Sequence, residues 1–173
     1  MREPTTLVTF KGAPLTLVGT SVRPGEAAPN FIALGTDLKQ VEFNDFRGRP
    51  VVLLSVPSLD TSVCDTEVRR FNQEAAGLSK DVAILVVSMD LPFAQKRWCG
   101  AHGIERVQAL SDHRDAAFGN AYGVLIKELR LLARAVFVVD RRHRIHWIQV
   151  VPELSQEPDY KAALQAVAEV SKA

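Results

Sequence analysis

Two short apolar runs constrain the fold of this chain more than any other feature of its sequence. Residues 51–56 and residues 82–87 are rich in valine, leucine and isoleucine, and neither run alternates apolar with polar positions. Runs of this kind are typical of strands that are buried on both faces of a sheet, as parallel strands connected by helices are. The sequence therefore predicts a central sheet that is covered on both sides.

The segments around these runs alternate between helix and strand patterns. Apolar residues at spacings of three and four predict an amphipathic helix over residues 65–78, between the two runs. Further helices are predicted over residues 93–101, from Ser111-Asp112 to about Tyr122, and from Pro158-Asp159 onwards. Further strands are predicted at residues 107–110, 135–139 and 145–150, with hairpins at residues 5–18 and 31–43.

This order of elements predicts an α/β fold. We expect a thioredoxin-like fold with a central mixed β-sheet flanked by helices and an N-terminal β-hairpin extension. Because no linker interrupts the pattern, the whole chain, residues 1–173, is predicted to form a single domain. The fold class alone assigns no function.

The composition argues against several classes of function. The 173 residues carry a net charge of +1, so no overall field would attract nucleic acid or an anionic membrane. The longest apolar runs are about six residues, far short of the roughly 20 that cross a bilayer. The first residues lack the apolar core of a signal peptide, which favours a cytoplasmic location. The basic residues 141–144 are interpreted as a solvated hairpin tip, because no aromatic platform accompanies them.

The chain contains only two cysteines, Cys64 and Cys99. In the cytoplasm a cysteine pair is more often catalytic, redox-active or metal-binding than a structural disulfide. Two cysteines 35 positions apart cannot fill a tetrahedral site unaided, so the sequence predicts no metal site. No other cofactor is expected either, because a cysteine sulfur can itself do redox work.

Cys64 lies where a predicted strand passes into a predicted helix, which is a favourable position for a reactive thiol. If Thr61 or Ser62 caps the helix, Cys64 falls in the first turn, where free backbone N–H groups and the helix dipole favour a thiolate. The dipole contributes only about 0.3–1 kcal/mol at an exposed site, so a cation or further donors are also needed. Thr61 is spaced to place its hydroxyl beside the sulfur, whereas Arg69 and Arg70 lie too far along the helix.

Two further residues have more than one interpretation. Cys99 follows Trp98 on a predicted helix, and taken alone it is most simply an inert buried residue. Together with Cys64 it becomes a candidate for the thiol that condenses with a sulfenic acid to form a disulfide. Arg134 opens an apolar strand, where an unpaired arginine is costly, and on pattern alone it fits a rim arginine paired with an acidic residue.

The segment around Cys64 resembles a known catalytic motif. Residues 57–66 read PSLDTSVCDT, which resembles the peroxidatic motif of peroxiredoxins: proline, then threonine or serine, then cysteine at this spacing. Residues 88–99, which read SMDLPFAQKRWC, and residues 121–140 closely resemble one branch of that family, the bacterial thiol peroxidases, which are atypical two-cysteine peroxiredoxins. The likeness runs from about Thr5 to the C-terminal helix.

The resemblance implies a role for five residues. Cys64 would be the peroxidatic cysteine and Cys99 the resolving cysteine of the same chain. Thr61 and Arg134 would bind the peroxide and polarise its O–O bond, and Pro57 would shield the sulfenate from water. The resemblance also implies hydrogen peroxide and organic hydroperoxides as substrates, thioredoxin as the reductant and a homodimer as the assembly.

Two points stay open at the level of sequence. Ser62 stands where this branch often has proline, which could loosen the turn or supply another helix cap. A non-enzymatic redox sensor or a chaperone-like module could use the same two thiols stoichiometrically, although it would have no need for the set of Pro57, Thr61 and Arg134.

Overall fold

A seven-stranded mixed β-sheet lies at the centre of the protein, in a computed structural model that describes residues 7–172. The strands in this part of the chain are β1 (Leu7–Phe10), β2 (Ala13–Val18), β3 (Ile32–Gly35), β4 (Gln40–Glu42), β5 (Val51–Ser55), β6 (Ala83–Ser88), β7 (Val107–Ser111), β8 (Leu125–Ile126), β9 (Ala135–Val139) and β10 (Ile145–Val150). The α-helices within residues 7–172 are α1 (Ser62–Glu74), α2 (Pro92–His102), α3 (Ala117–Tyr122) and α4 (Tyr160–Ser171). The observed architecture confirms the predicted α/β class.

The strand order in the large sheet is β10-β9-β5-β6-β7-β3-β4. Strands β5, β6 and β7 are parallel, whereas β9 pairs with β5 in the antiparallel direction, with Ser55 opposite Ala135. The chain that leaves the end of β5 therefore lies next to the chain that enters β9. This register decides which residues surround Cys64.

Both faces of the sheet are buried, as the two apolar runs predict. Along β5, Val51 and Leu53 belong to one hydrophobic cluster, while Val52 and Leu54 belong to the other. The first cluster includes the aromatic residues of α3 and of the β3 region. The second cluster lies under α1, α2 and α4. These three helices therefore cover one face of the sheet, and Cys64 is part of the hydrophobic cluster between them and that face.

The N-terminal hairpin is confirmed within the described residues. Strands β1 and β2 pair in the antiparallel direction, and β2 pairs in turn with β8, a two-residue strand that the sequence analysis did not predict. Thr5 and Thr6, which the prediction included in the hairpin, lie outside the described residues. The second predicted hairpin is also observed, as β3 and β4.

The start of α3 differs from the prediction, because the side chain that caps this helix lies several residues before it. The predicted helix after Ser111-Asp112 begins only at Ala117, because the intervening residues form a turn. Asp112 still caps it, since its carboxylate accepts the N–H groups of Phe118 and Gly119 at 3.0 and 2.9 Å. Helix α2 ends as predicted, at Gly103 in the left-handed conformation that glycine adopts readily. No α-helix between residues 7 and 172 is long and apolar enough to cross a membrane.

The hairpin between β9 and β10 buries a residue that was predicted to be solvated. Arg142 and Arg144 are exposed as expected, but His143 is only 4% exposed and packs on Phe43, with ring centroids 4.5 Å apart. Neither ring nitrogen of His143 has a hydrogen-bond partner within the described chain. The prediction of a solvated tip is therefore wrong for His143, because the turn folds back on the aromatic cluster.

The burial of His143 predicts a loss of stability at acidic pH. Burial and, secondarily, the charge of Arg47 lower the pKa of His143 from its usual value of 6.5, against an opposing effect of Asp140. As the pH falls below that usual value, His143 binds a proton in the unfolded chain but not yet in the folded chain. The free energy of unfolding therefore decreases until the pH reaches the lowered pKa of the folded state.

Urea unfolding at about pH 7.5 and about pH 5.5 measures this effect. His143→Asn is a suitable comparison, because asparagine tolerates the left-handed backbone (φ 63°) and does not titrate. We expect the acid-induced loss of stability to be larger in the wild type than in this variant. An equal loss in both proteins would contradict the assignment to His143, since all other titrating groups are shared.

Candidate active site

Cys64 is fully buried in the first turn of α1, immediately after the loop that leaves β5. Thr61 is the N-cap of the helix, and its hydroxyl accepts the backbone N–H of Cys64 at 3.4 Å. This confirms Thr61 as the helix cap. Ser62, the other candidate for the cap, is the first residue of the helix and lies exposed. The cysteine sulfur therefore lies near the positive end of the helix dipole.

A carboxylate that the sequence analysis missed fixes the loop before Cys64. Asp90, just after β6, accepts the hydroxyl of Ser58 at 2.7 Å and the backbone N–H of Leu59 at 2.8 Å. Ser88 also donates to this carboxylate, at 2.7 Å. Because β5 and β6 are parallel neighbours, their following segments meet at one edge of the sheet, and Asp90 joins them there.

Arg134 is the cation that the local sequence around Cys64 does not supply. Its Nη1 lies 3.2 Å from the Sγ of Cys64, and its side chain is fixed by Nε and Nη2, which donate to the carbonyl oxygen of Leu154 at 3.1 and 2.8 Å. Arg134 is 1% exposed, so the interpretation of this residue as a rim arginine is wrong: it lies in the interior of the protein. The antiparallel pairing of β5 with β9 explains the contact, since Arg134 directly precedes β9.

Glu67 is the second partner of Arg134 and was also missed. Its Oε2 lies 2.7 Å from the same Nη1, so the expected acidic partner of Arg134 exists but is buried together with it. Glu67 is completely buried, and its Oε1 has no hydrogen-bond partner among the described residues. The spacing of three residues from Cys64 is the signal that could have placed Glu67 on the same side of α1.

One cation therefore faces two groups that can carry a negative charge. Burial raises the pKa of Glu67 to about 7, although Arg134 lowers it in opposition. Burial also raises the pKa of the Cys64 thiol, against the lowering effects of Arg134, the Thr61 hydroxyl and the Ser58 backbone. Because the two groups share Arg134, their titrations are coupled, and a thiolate at Cys64 is favoured when Glu67 holds a proton.

A cavity of about 270 Å³ opens next to this cluster. Pro57, Thr61 and Arg134 form part of its wall, so the structure brings together the three residues that the sequence analysis grouped with Cys64. The remaining wall is largely apolar and includes Phe10 and Leu129, whose side chains are partly exposed. A small polar group near Arg134 and an apolar group near the rim would both be accommodated.

Cys99 lies apart from this cavity. It is a half-buried free thiol on α2, and it lines a different cavity, of about 440 Å³, together with Ile104 and Val107. The two cavities share no lining residue. Burial raises the pKa of the Cys99 thiol. Among residues 7–172, no cluster of three or more histidine, cysteine or acidic side chains could hold a metal ion.

Comparison with known proteins identifies the family. The Redoxin family model matches residues 23–164. The thiol peroxidase of Oceanobacillus iheyensis is 54% identical over 157 residues, which cover 91% of this chain and 95% of that protein. The thiol peroxidase of Bacillus subtilis is 50% identical over 159 residues, covering 92% of this chain and 95% of that protein. This chain belongs to the thiol peroxidase family.

A solved structure extends the comparison to three dimensions. The crystal structure of a peroxiredoxin-like protein from Aquifex aeolicus superposes with a TM-score of 0.90 at 40% identity, covering 98% of this chain and 99% of that chain. The thioredoxin-like fold expected from the sequence is thereby confirmed. As a member of this family the protein is a peroxidase, which requires a peroxide as oxidant and a thiol as reductant.

Proposed function

We propose that the protein reduces hydroperoxides through a two-cysteine cycle in which Cys64 is the peroxidatic cysteine and Cys99 the resolving cysteine. The contact between Arg134 Nη1 and Cys64 Sγ, at 3.2 Å, carries the proposal. A buried arginine held against a cysteine sulfur stabilises both a thiolate and a negative charge that develops next to it. Arg134 also forms part of the cavity wall, so a substrate in that cavity would lie within reach of the same cation.

In the first step the Cys64 thiolate attacks the terminal oxygen of the hydroperoxide. An S–O bond forms as the O–O bond breaks, and the leaving oxygen departs with the bonding electron pair as alkoxide or hydroxide. Arg134 and the Thr61 hydroxyl stabilise that charge until a proton converts it to alcohol or water. Pro57 restricts the approach of water to the resulting sulfenic acid. No bound cofactor takes part, because the sulfur is oxidised directly.

In the second step the Cys99 thiol attacks the sulfenic sulfur of Cys64. The S–S bond forms, the S–O bond breaks, and the sulfenic oxygen leaves as water together with the thiol proton. Thioredoxin then reduces the intrachain disulfide by thiol–disulfide exchange and itself becomes oxidised. The family resemblance supports thioredoxin as the donor, a homodimer as the assembly and the cytoplasm as the location.

The shape of the cavity supports organic hydroperoxides as substrates alongside hydrogen peroxide. Its polar end contains Thr61 and Arg134, while Phe10, Leu129 and Leu131 provide apolar surface further out. An alkyl chain attached to the leaving oxygen would bury part of its surface against these side chains. Hydrogen peroxide would use the polar end alone.

A stoichiometric oxidation tests the two-cysteine cycle. One equivalent of hydrogen peroxide is added to the reduced protein, and intact mass and non-reducing peptide mapping identify the product. We expect an intrachain disulfide between Cys64 and Cys99 that thioredoxin and its reductase return to the dithiol form, with catalytic consumption of NADPH. Oxidation that stops after one turnover in the presence of this reducing system would favour the redox-sensor alternative instead.

A further inference from the structure

A second polar cluster joins the two helices that carry the cysteines. Asp65 on α1 accepts a hydrogen bond from the indole Nε1 of Trp98 on α2 at 3.0 Å. The same carboxylate oxygen lies 3.1 Å from Nε2 of His102, one turn further along α2. The His102 ring stacks on the Trp98 indole, with centroids 4.7 Å apart and the planes 28° from parallel.

The geometry around His102 strengthens this contact. Its Nδ1 lies 2.9 Å from the backbone oxygen of Trp98, and its Nε2 faces the carboxylate of Asp65. The carboxylate is an acceptor only, so Nε2 donates to Asp65 in the tautomer that carries the ring proton on that nitrogen. A single carboxylate then receives two donors from α2, and one of these donors belongs to a residue that is 95% buried, Trp98 being 5% exposed.

The cluster of Asp65, Trp98 and His102 lies next to both thiols in the sequence. Asp65 directly follows Cys64, and Trp98 directly precedes Cys99, so the hydrogen bond joins the immediate neighbours of both thiols. The thiols themselves are free: Cys99 lines the cavity of about 440 Å³, whereas Cys64 is buried and held against Arg134. A disulfide requires a sulfur–sulfur distance of about 2.05 Å, so Cys64 must leave Arg134 and the first turn of α1 must move.

We propose that Asp65, Trp98 and His102 form a latch that holds the first turn of α1 in place and limits how fast oxidised Cys64 reaches Cys99. The latch keeps Cys64 beside Arg134 while the peroxide reacts. It must then open before the disulfide forms, because Asp65 cannot move with Cys64 while it accepts hydrogen bonds from α2. This inference rests on the two-cysteine cycle proposed above.

The latch also determines how oxidised Cys64 divides between two products. While the latch is closed, the sulfenate remains in the peroxide site, where its sulfur can take an oxygen from a second hydroperoxide and release alcohol or water, giving a sulfinic acid. Once the latch is open, attack by Cys99 gives the disulfide and water. A weaker latch therefore diverts the sulfenate from sulfinic acid to disulfide.

Trp98→Phe tests the latch, because it keeps an aromatic ring and removes the N–H donor. Loss of a hydrogen bond to a charged group destabilises the closed state of the latch, and partial exposure of Asp65 reduces this effect. We expect the latch to open about fivefold faster in the variant. The readout is the hydrogen peroxide concentration at which half of the chains end as Cys64 sulfinic acid rather than disulfide, measured by intact mass. We expect that concentration to rise about fivefold, in proportion to the faster opening. Asp65→Ala should act in the same direction and serves if Trp98→Phe folds poorly.

Two further variants separate the latch from general loosening. Arg97→Gln removes an exposed contact between α2 and the Cys64 loop, 3.5 Å long to Asp60, and should leave the division of products unchanged. Val167→Ala in α4 truncates a side chain in the hydrophobic cluster under α1, α2 and α4, and should lower the melting temperature without changing that division. An unchanged or lower half-sulfinic concentration in Trp98→Phe and Asp65→Ala, or an equal rise in Val167→Ala, would overturn the latch. A wild type that never forms the Cys64–Cys99 disulfide would overturn the proposed cycle instead.

Discussion

Replacing Cys64 with serine is expected to reduce peroxide turnover to the rate without enzyme. Serine has nearly the shape of cysteine and would fit the buried site beside Arg134, so the fold and the contact between Arg134 and Glu67 should survive. The hydroxyl cannot be oxidised by a peroxide, however, and only the sulfur provides the electron pair. The measurement is NADPH consumption with thioredoxin and its reductase, together with direct loss of peroxide.

Cys99→Ser is the matched control for this experiment. It removes the other thiol but leaves the cavity of Pro57, Thr61 and Arg134 unchanged, since Cys99 lines a different cavity. We expect Cys99→Ser to consume one equivalent of peroxide as fast as the wild type and then to stop turning over with thioredoxin. Full peroxidase activity in Cys64→Ser would refute the assignment of the peroxidatic residue. Loss of the first oxidation in Cys99→Ser would show that Cys99 also takes part in the reaction of Cys64 with peroxide, in addition to forming the disulfide.

Much of the fold could be predicted because the relevant patterns are local. The runs that became β5 and β6 have no polar alternation, which indicates burial on both faces, and α2 ends at Gly103 as the position of that glycine suggests. The start of α3 was misplaced because Asp112 caps from five positions before the helix, not from the adjacent position. His143 was misplaced because a basic turn looks solvated until the aromatic cluster on which it packs is known.

The site was less accessible from the sequence because its parts meet only through sheet pairing. The cap by Thr61 could be predicted, since it joins two residues three positions apart in one helix turn. The contact of Arg134 with Cys64 spans 70 positions and follows from the register of β9 on β5, which no local pattern encodes. Family resemblance supplied that link. Asp65 and Trp98 likewise meet across 33 positions, through the packing of two helices on one face of the sheet.

Replacing Arg134 with methionine is expected to slow the reaction of Cys64 with peroxide by about 100- to 1,000-fold, the usual effect of removing a donor from a site of developing negative charge. Two causes act together. The pKa of the Cys64 thiol rises further, because Arg134 is the largest influence that lowers it. The leaving oxygen also loses its cation. The rate is measured as the second-order reaction of the reduced protein with peroxide, and its increase with pH should continue to a higher pH than in the wild type.

The same variant should also change how stability depends on pH, because Glu67 loses its counter-ion. The pKa of Glu67, already raised from 4.5 to about 7 in the folded protein, rises further without Arg134. A raised carboxyl pKa favours folding below the unfolded value, and this contribution is lost as the pH rises through the folded value. Arg134→Met should therefore go on losing stability above about pH 7, where the wild type has already lost this contribution of Glu67.

The double variant Arg134→Met with Glu67→Gln distinguishes the two roles of the arginine. Removing one partner of a buried ion pair costs about 3–5 kcal/mol when the other stays charged, whereas neutralising both avoids that cost. We expect the double variant to recover most of the stability at alkaline pH while the reaction with peroxide stays slow. Recovery of the peroxide reaction together with stability would mean that Arg134 only neutralises Glu67. Slow oxidation in a stable double variant would show that the guanidinium acts on sulfur and peroxide directly.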